Sequence, residues 1–160
     1  TKIEDKYGNV LANFYPESRE VITENTAFLM ANLLQGVVDE GTGRRLRFRY
    51  GFKNQIGGKT GTTQNHSDGW FIGITPDLAG GVWVGAEDRS IHFQNLANGQ
   101  GASMALPIWA LFMQKVYADK SLAVPQSDFQ KPNGVNHVLD CGDADREGMT
   151  DYDSSDEIFD

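Results

Sequence analysis

Two periods of apolar spacing run along the chain, and the switches between them mark its elements. From residue 24 to 40 the apolar positions recur every three to four residues. Ala27, Met30, Leu34 and Val37 then share one helix face, with Leu33 and Val38 widening it. Thr23 suits an N-cap, Glu24 suits the positive end of the helix dipole, and Gly41 is a natural stop. A second helix is predicted over residues 103–118, with Pro107 near its first turn. Its expected face is Ile108, Leu111, Phe112 and Val116, and Trp109 and Met113 carry apolarity round the cylinder. Between the helices the period drops to two. Strands are predicted at 56–63, 69–75 and 80–86, antiparallel because short turns such as Pro76-Asp77 join them. Trp70, Ile72 and Ile74 alternate with Phe71, Gly73 and Thr75, so both faces are apolar and helices are expected on both sides of the sheet.

Weaker signals flank this block. Residues 2–14 read as a hairpin turning at Tyr7-Gly8-Asn9, too small to stand alone and so expected to join a larger sheet. The polar stretch to Val21, with Pro16, reads as a linker. In residues 44–50 arginines alternate with Leu46, Phe48 and Tyr50, a strand-like pattern with one wet face. That face fits either a basic rim for an anionic polymer or a plain solvated surface, and the solvated surface is the simpler account. After Ser121 periodicity fades, apart from Phe129 and a possible short strand near 135–138.

Composition fits one domain of ordinary size: 160 residues, 39% hydrophobic, with nine Phe and three Trp for a core. The formal charge of −8 belongs to the tail, because residues 141–160 hold eight acidic residues and a single arginine. The body is close to neutral, which argues against a nucleic-acid partner. The tail is expected to be flexible and acidic, as part of an extension over 121–160, while residues 1–120 form the folded body. The lone Cys141 has no partner for a disulfide or a metal site and reads as incidental. No run approaches the ~20 apolar residues of a membrane span, and the first residues lack a signal-peptide pattern. Thr1 opens inside a predicted strand, so the chain is expected to begin within a longer protein whose anchor lies upstream.

The chemistry concentrates in Gly57-Gly58-Lys59-Thr60-Gly61-Thr62-Thr63. Lys59 offers a point charge to an anion, the threonines offer short hydroxyls, and the glycines let a ligand lie against the backbone. A phosphate-binding P-loop also contains Gly-Lys-Thr, but it needs a glycine where this chain has Lys53 and a helix directly afterwards, where this chain has a polar loop. The remaining alternatives are the Lys-Thr-Gly element of serine acyl-transfer enzymes, carried on a strand at a sheet edge, and a glycine-rich turn with an exposed lysine. His66 and Asp68 lie close in sequence without a third ligand nearby, and read as turn chemistry.

The wider context resembles one family. Gly58 to Thr63, Asp68-Gly69-Trp70-Phe71-Ile72-Gly73, Thr75-Pro76 and Gly81-Val82-Trp83-Val84-Gly85 together resemble the transpeptidase domain of class A, bifunctional penicillin-binding proteins. Leu34-Gln35-Gly36-Val37-Val38, Gly41-Thr42-Gly43 and Leu106-Pro107-Ile108-Trp109 extend the likeness over about residues 1–118. The resemblance implies an α+β fold, the C-terminal portion of the β-lactamase-like serine-transpeptidase fold. It implies a peptidoglycan D,D-transpeptidase that acts on stem peptides ending in D-Ala-D-Ala and binds β-lactams, with no cofactor. Residue by residue, Lys59 becomes the catalytic cation, Thr60, Gly61, Thr62 and Thr63 the substrate-binding residues, and the Thr62 N–H an oxyanion donor. The implied location is the periplasmic face of the inner membrane, held by the upstream anchor, without membrane contact by this stretch.

The chain departs from that family in one respect. No serine is followed three positions later by lysine, and no Ser-x-Asn occurs. The expectation is therefore a docking half without the nucleophile, whose partner is the rest of the transpeptidase domain. The competing expectation is a non-catalytic module that recognises stem peptide or a protein partner through the same strand.

Overall fold

The computed structural model describes residues 2–15 and 19–135. Its centre is a three-stranded antiparallel sheet of β3 (Gly57–Thr62), β4 (Asp68–Ile74) and β5 (Ala79–Gly85), in the order β3-β4-β5. The register sets Lys59 opposite Ile72 and Gly61 opposite Trp70, and it pairs Trp70 with Trp83 on the next strand. The predicted strands thus stand within a residue of their expected bounds. Around them lie α1 (Glu24–Asp39), α2 (Arg45–Phe48), α3 (Leu96–Gly99) and α4 (Gly101–Ala118).

Helix α4 covers one sheet face, and the small residues on that face explain how close it comes. A Cβ on Gly73 would overlap the Trp109 ring, and one on Gly69 would overlap the end of Met104. Trp109 fills the space so released. It meets Phe71 edge-on at 5.4 Å and donates its indole N–H to Gly80 O at 3.1 Å. With Val38, Leu46, Ile56, Phe71, Ala105, Leu106 and Met113 it forms the core, each large side chain contributing roughly 1.5–3 kcal/mol by burial.

The opposite face is covered only at one end, where α1 lies on β3. Gly57 permits that contact, since a Cβ there would stand 3.0 Å from Leu34 Cβ and 3.1 Å from Ile74 Cγ1. Trp70, Ile72 and Trp83 on the same face are left about half exposed. Helices on both sides of the sheet were expected. Within the described residues only one side is fully covered.

Both long helices form where the periodicity places them, but each buries only part of the expected face: Val38, with Leu34 half-buried, in α1, and Val116 in α4. In α1, Thr23 caps the N-terminus by accepting from the Thr26 N–H at 3.3 Å. Ala31 and Val38 are buried, while Met30 and Leu33 stay 53% and 55% exposed. In α4 the buried side is Trp109, Met113 and Val116, and Ile108, Leu111 and Phe112 are 50–59% exposed. A helix apolar all round leaves the choice of face to the geometry of the sheet it meets. Pro107 falls in the seventh position of α4, past the first turn.

The stretch 44–50 is not a strand. Residues Arg45–Phe48 form the single turn α2, with Leu46 buried. Its arginines are engaged internally. Arg47 pairs with Asp39 at 2.7 Å and donates to Phe52 O and Asn54 O, and Arg45 donates to Ala102 O and Ser103 Oγ, both at 3.0 Å. Local alternation loses here to these part-buried hydrogen bonds, which take Arg45 and Arg47 out of any basic rim, while Arg44 and Arg49 stay exposed.

The N-terminal hairpin forms as expected from β1 (Lys2–Glu4) and β2 (Val10–Asn13), around Gly8 with φ +86°. It remains a separate two-stranded sheet rather than joining the larger one. Residues 121–135 return to the body, where the Phe129 N–H donates to Gln55 Oε1 at 2.8 Å and Val135 is buried. Pro16, most of the possible strand at 135–138, and Cys141 with the acidic tail lie outside the described residues.

Candidate functional site

Strand alternation divides the Lys-Thr-Gly segment between two faces. Lys59 and Gly61 belong to the open face beside Ile72 and Trp70, and Thr60 and Thr62 to the face toward α4. Lys59 is exposed, and its ammonium donates to Thr60 O at 2.8 Å, which keeps the charge beside the strand backbone. Among the described residues no strand pairs with the outer edge of β3, so the segment is accessible from that side.

Each threonine hydroxyl has a defined partner. Thr62 Oγ1 accepts from the Gly101 N–H at 3.1 Å, the first residue of α4. An acceptor role leaves that hydroxyl proton free to donate outward. The positive end of an 18-residue helix lies against the same hydroxyl. Thr60 Oγ1 stands 2.8 Å from Thr42 Oγ1, in the turn between α1 and α2. Thr63 differs: its hydroxyl donates to Asp68 Oδ2 at 2.9 Å and accepts from the Asp68 N–H at 3.0 Å.

Asp68 fastens the β3–β4 turn. Besides Thr63 it receives Ser67 Oγ at 3.1 Å and the Trp83 indole N–H at 3.1 Å, with Arg89 at 4.0 Å. The Thr63 hydrogen bond, followed by those of Ser67 and Trp83 and the Arg89 charge, holds its carboxyl below the usual carboxylate range, against a smaller opposing effect of desolvation. His66 lies in the same turn with φ +55°, beside Asn65 at φ +59°. Its backbone O accepts from the Phe93 N–H at 3.3 Å, and its ring Nδ1 is buried without a partner. Asp68 is thus spent on turn structure.

Among the described residues no group of three or more His, Cys, Asp or Glu is placed to hold a metal ion. A groove of about 580 Å³ between α1, Ile74 and residues 129–133 is lined without any residue of the motif. Lys59 stands exposed on the open sheet face, beside the outer edge of β3.

Thr42 and Gly101 escaped the sequence reading as site residues. Gly41-Thr42-Gly43 stood out as part of the pattern, but only the fold brings Thr42 eighteen positions forward onto Thr60. For Gly101 the sequence carried no signal beyond a glycine at the start of a helix.

Comparisons with known proteins bear on the family and the fold. Residues 6–103 match the family model described as penicillin binding protein transpeptidase domain. The chain belongs to that family, and its relatives are of the class A type. It is 35% identical over 131 residues to penicillin-binding protein 1A of Aquifex aeolicus, covering 82% of this chain and 17% of that relative. It is 36% identical over 125 residues to penicillin-binding protein 1A of Pseudomonas aeruginosa, covering 76% of this chain and 14% of that protein. The crystal structure of penicillin-binding protein 1A from Haemophilus influenzae superposes with a TM-score of 0.64 at 25% identity, over 82% of this chain and 24% of that one. The chain thus spans less than a fifth of the length of these curated relatives. The α+β transpeptidase fold expected from the sequence is the fold observed.

Proposed function

We propose that this chain forms the substrate-docking wall of a peptidoglycan D,D-transpeptidase, with the serine nucleophile and its activating lysine supplied by polypeptide outside these 160 residues. The observation that carries the proposal is the Gly101–Thr62 hydrogen bond. It occupies an acceptor site of Thr62 Oγ1 and leaves the hydroxyl proton free to donate to a ligand anion at the accessible edge of β3, the strand whose other face carries Lys59. In this arrangement Thr60 and Thr62 hold the terminal carboxylate of a D-Ala-D-Ala stem peptide or of a β-lactam. Lys59 supplies positive potential, Gly61 gives the ligand backbone room, and the Thr62 N–H stabilises the oxyanion. Thr63 serves the site by fixing the end of the strand through Asp68. The working location is the periplasmic face of the inner membrane. No helix among the described residues is long and apolar enough to cross a membrane.

The test is acylation by penicillin in the longer polypeptide that carries this chain. Lys59→Ala is expected to slow acylation by a factor of about 100 or more, as loss of one preorganised transition-state contact does. His66→Ala should cost much less. Equal losses would refute the assignment of charge stabilisation to Lys59. A second reading is a module that binds stem peptide through the accessible edge of β3 without chemistry. That reading expects saturable stem-peptide binding with no acylation in the longer polypeptide.

A further inference from the structure

The turn between α1 and α2 delivers to the Lys-Thr-Gly strand a hydroxyl from outside that strand. Glu40 and Gly41 both donate their N–H groups to Gly36 O, and the Gly43 N–H donates to Val37 O at 2.9 Å. This winding is tight: a Cβ on Gly41 would stand 2.9 Å from Val37 O, and one on Gly43 would stand 3.1 Å from it. Thr42 is thereby held between two glycines. Downstream, Arg45 ties the same segment to the start of α4 through Ala102 O and Ser103 Oγ. Thr42 Oγ1 comes to rest 2.8 Å from Thr60 Oγ1, with both groups on the accessible side of the molecule.

Two hydroxyls so placed hold two protons, and only one proton can lie between them. The other is left to donate. An anion in front of the pair selects the arrangement in which Thr42 donates to Thr60 and Thr60 donates outward, or the reverse. In either case one O–H is polarised by its neighbour, which strengthens it as a donor. Without Thr42 the Thr60 hydroxyl would lose that neighbour and could turn back onto its own backbone.

We propose that Thr42 is a specificity-determining residue for the ligand carboxylate, acting with Thr60 as a paired hydroxyl donor at the edge of β3. The inference rests on the docking role of the Lys59 strand. It adds a residue outside that strand and a stated selectivity, for ligands with a free carboxylate over those in which it is masked.

The experiment uses the longer polypeptide carrying this chain, and follows acylation by benzylpenicillin and by benzylpenicillin methyl ester, whose carboxylate is masked. Thr42→Val keeps the side-chain shape and removes the hydroxyl. It is expected to slow acylation by the free acid about tenfold, the factor that one hydrogen bond to a charged group is worth. The ester rate should stay within about twofold, and Thr42→Ser should restore the free-acid rate. Thr42→Ala gives the same comparison should the valine variant fold poorly. Equal losses for acid and ester would reduce Thr42 to a structural role and overturn the proposal. Full free-acid activity in both hydroxyl-less variants would overturn it as well. Lys59→Ala in the same series separates the two levels. If it abolishes free-acid selectivity and Thr42→Val does not, only the Thr42 inference fails. If neither changes the rate, the docking role itself fails.

Discussion

At Gly101 the first residue of α4 and two strands come together too closely for any side chain. A Cβ there would overlap the carbonyl oxygens of Gly61 and Trp70, which are backbone atoms and cannot rotate away. Gly101→Ala should therefore push α4 off the sheet, costing about 1–3 kcal/mol, and break the bond to Thr62. Gly36, inside α1, has open space at the same position. Gly36→Ala should stabilise by about 0.5–1 kcal/mol, since alanine loses less backbone entropy in a helix. Denaturation midpoints of the two variants should move in opposite directions, and a neutral Gly101→Ala would contradict the close approach. Asp68 gives a second prediction at this scale, through pH. Its carboxyl is held below the ordinary value chiefly by Thr63. A depressed folded pKa means that the stabilisation is present above the unfolded carboxylate pKa and is lost as pH falls through the lower, folded one. Acid titration of wild type should show that loss below about pH 4. Asp68→Asn should flatten this part of the curve, and an unchanged acid limb would mean that the turn does not depend on the charge.

Among the elements, α4 shows how far a pattern of apolar residues can be read. Its existence and length were legible, because apolar spacing without internal breaks favours a helix whatever its neighbours. Its buried face was not. Ile108, Leu111 and Phe112 satisfy the 3.6 period as well as Trp109, Met113 and Val116 do, and only the glycines opposite, Gly73 and Gly69, decide which set packs. The same holds in α1, where Gly57 draws in the side bearing Ala31 and Leu34. In residues 44–50 the alternation pointed to a strand, and the turn of α2 won because Arg45 reaches the distant Ala102 O and Arg47 bonds to Asp39 and to the carbonyls of Phe52 and Asn54, contacts that no alternation reveals. The Lys-Thr-Gly strand was fully legible, being a motif with period-2 context, while Thr42 depends on a contact that exists only after folding. These assignments separate in mutation. Trp109→Ala should cost about 3–5 kcal/mol, as truncation of a buried Trp does. Phe112→Ser in this chain should change stability by less than about 0.5 kcal/mol. Thermal melting of the two variants checks the assignment, and a large loss for Phe112→Ser would place that side chain in a contact the fold does not show.

For the molecule as a whole, the sheet face bearing Lys59 also bears Trp70, Ile72 and Trp83, half exposed, with the two indole rings 6.4 Å apart. The outer edges of β3 and β5 have no strand partner among the described residues. A ligand docking on this wall would be covered on one side only, and binding sites draw their affinity from enclosing most of the ligand surface. Covalent capture needs more still: a serine with a base within hydrogen-bond reach. Ser67 is nearest the motif in sequence, but it is buried, and its hydroxyl is bonded to Asp68 and within 3.0 Å of Thr63. Ser103 Oγ accepts from Arg45, a guanidinium that cannot take up a proton. Ser121 Oγ donates to Asp119 at 2.6 Å in the exposed turn after α4. The 160-residue chain alone, incubated with a fluorescent penicillin, is therefore expected to show no mass increase by intact-mass spectrometry. Stoichiometric labelling of any serine would demand a nucleophile within this wall and would overturn its reading as the docking half of a divided site.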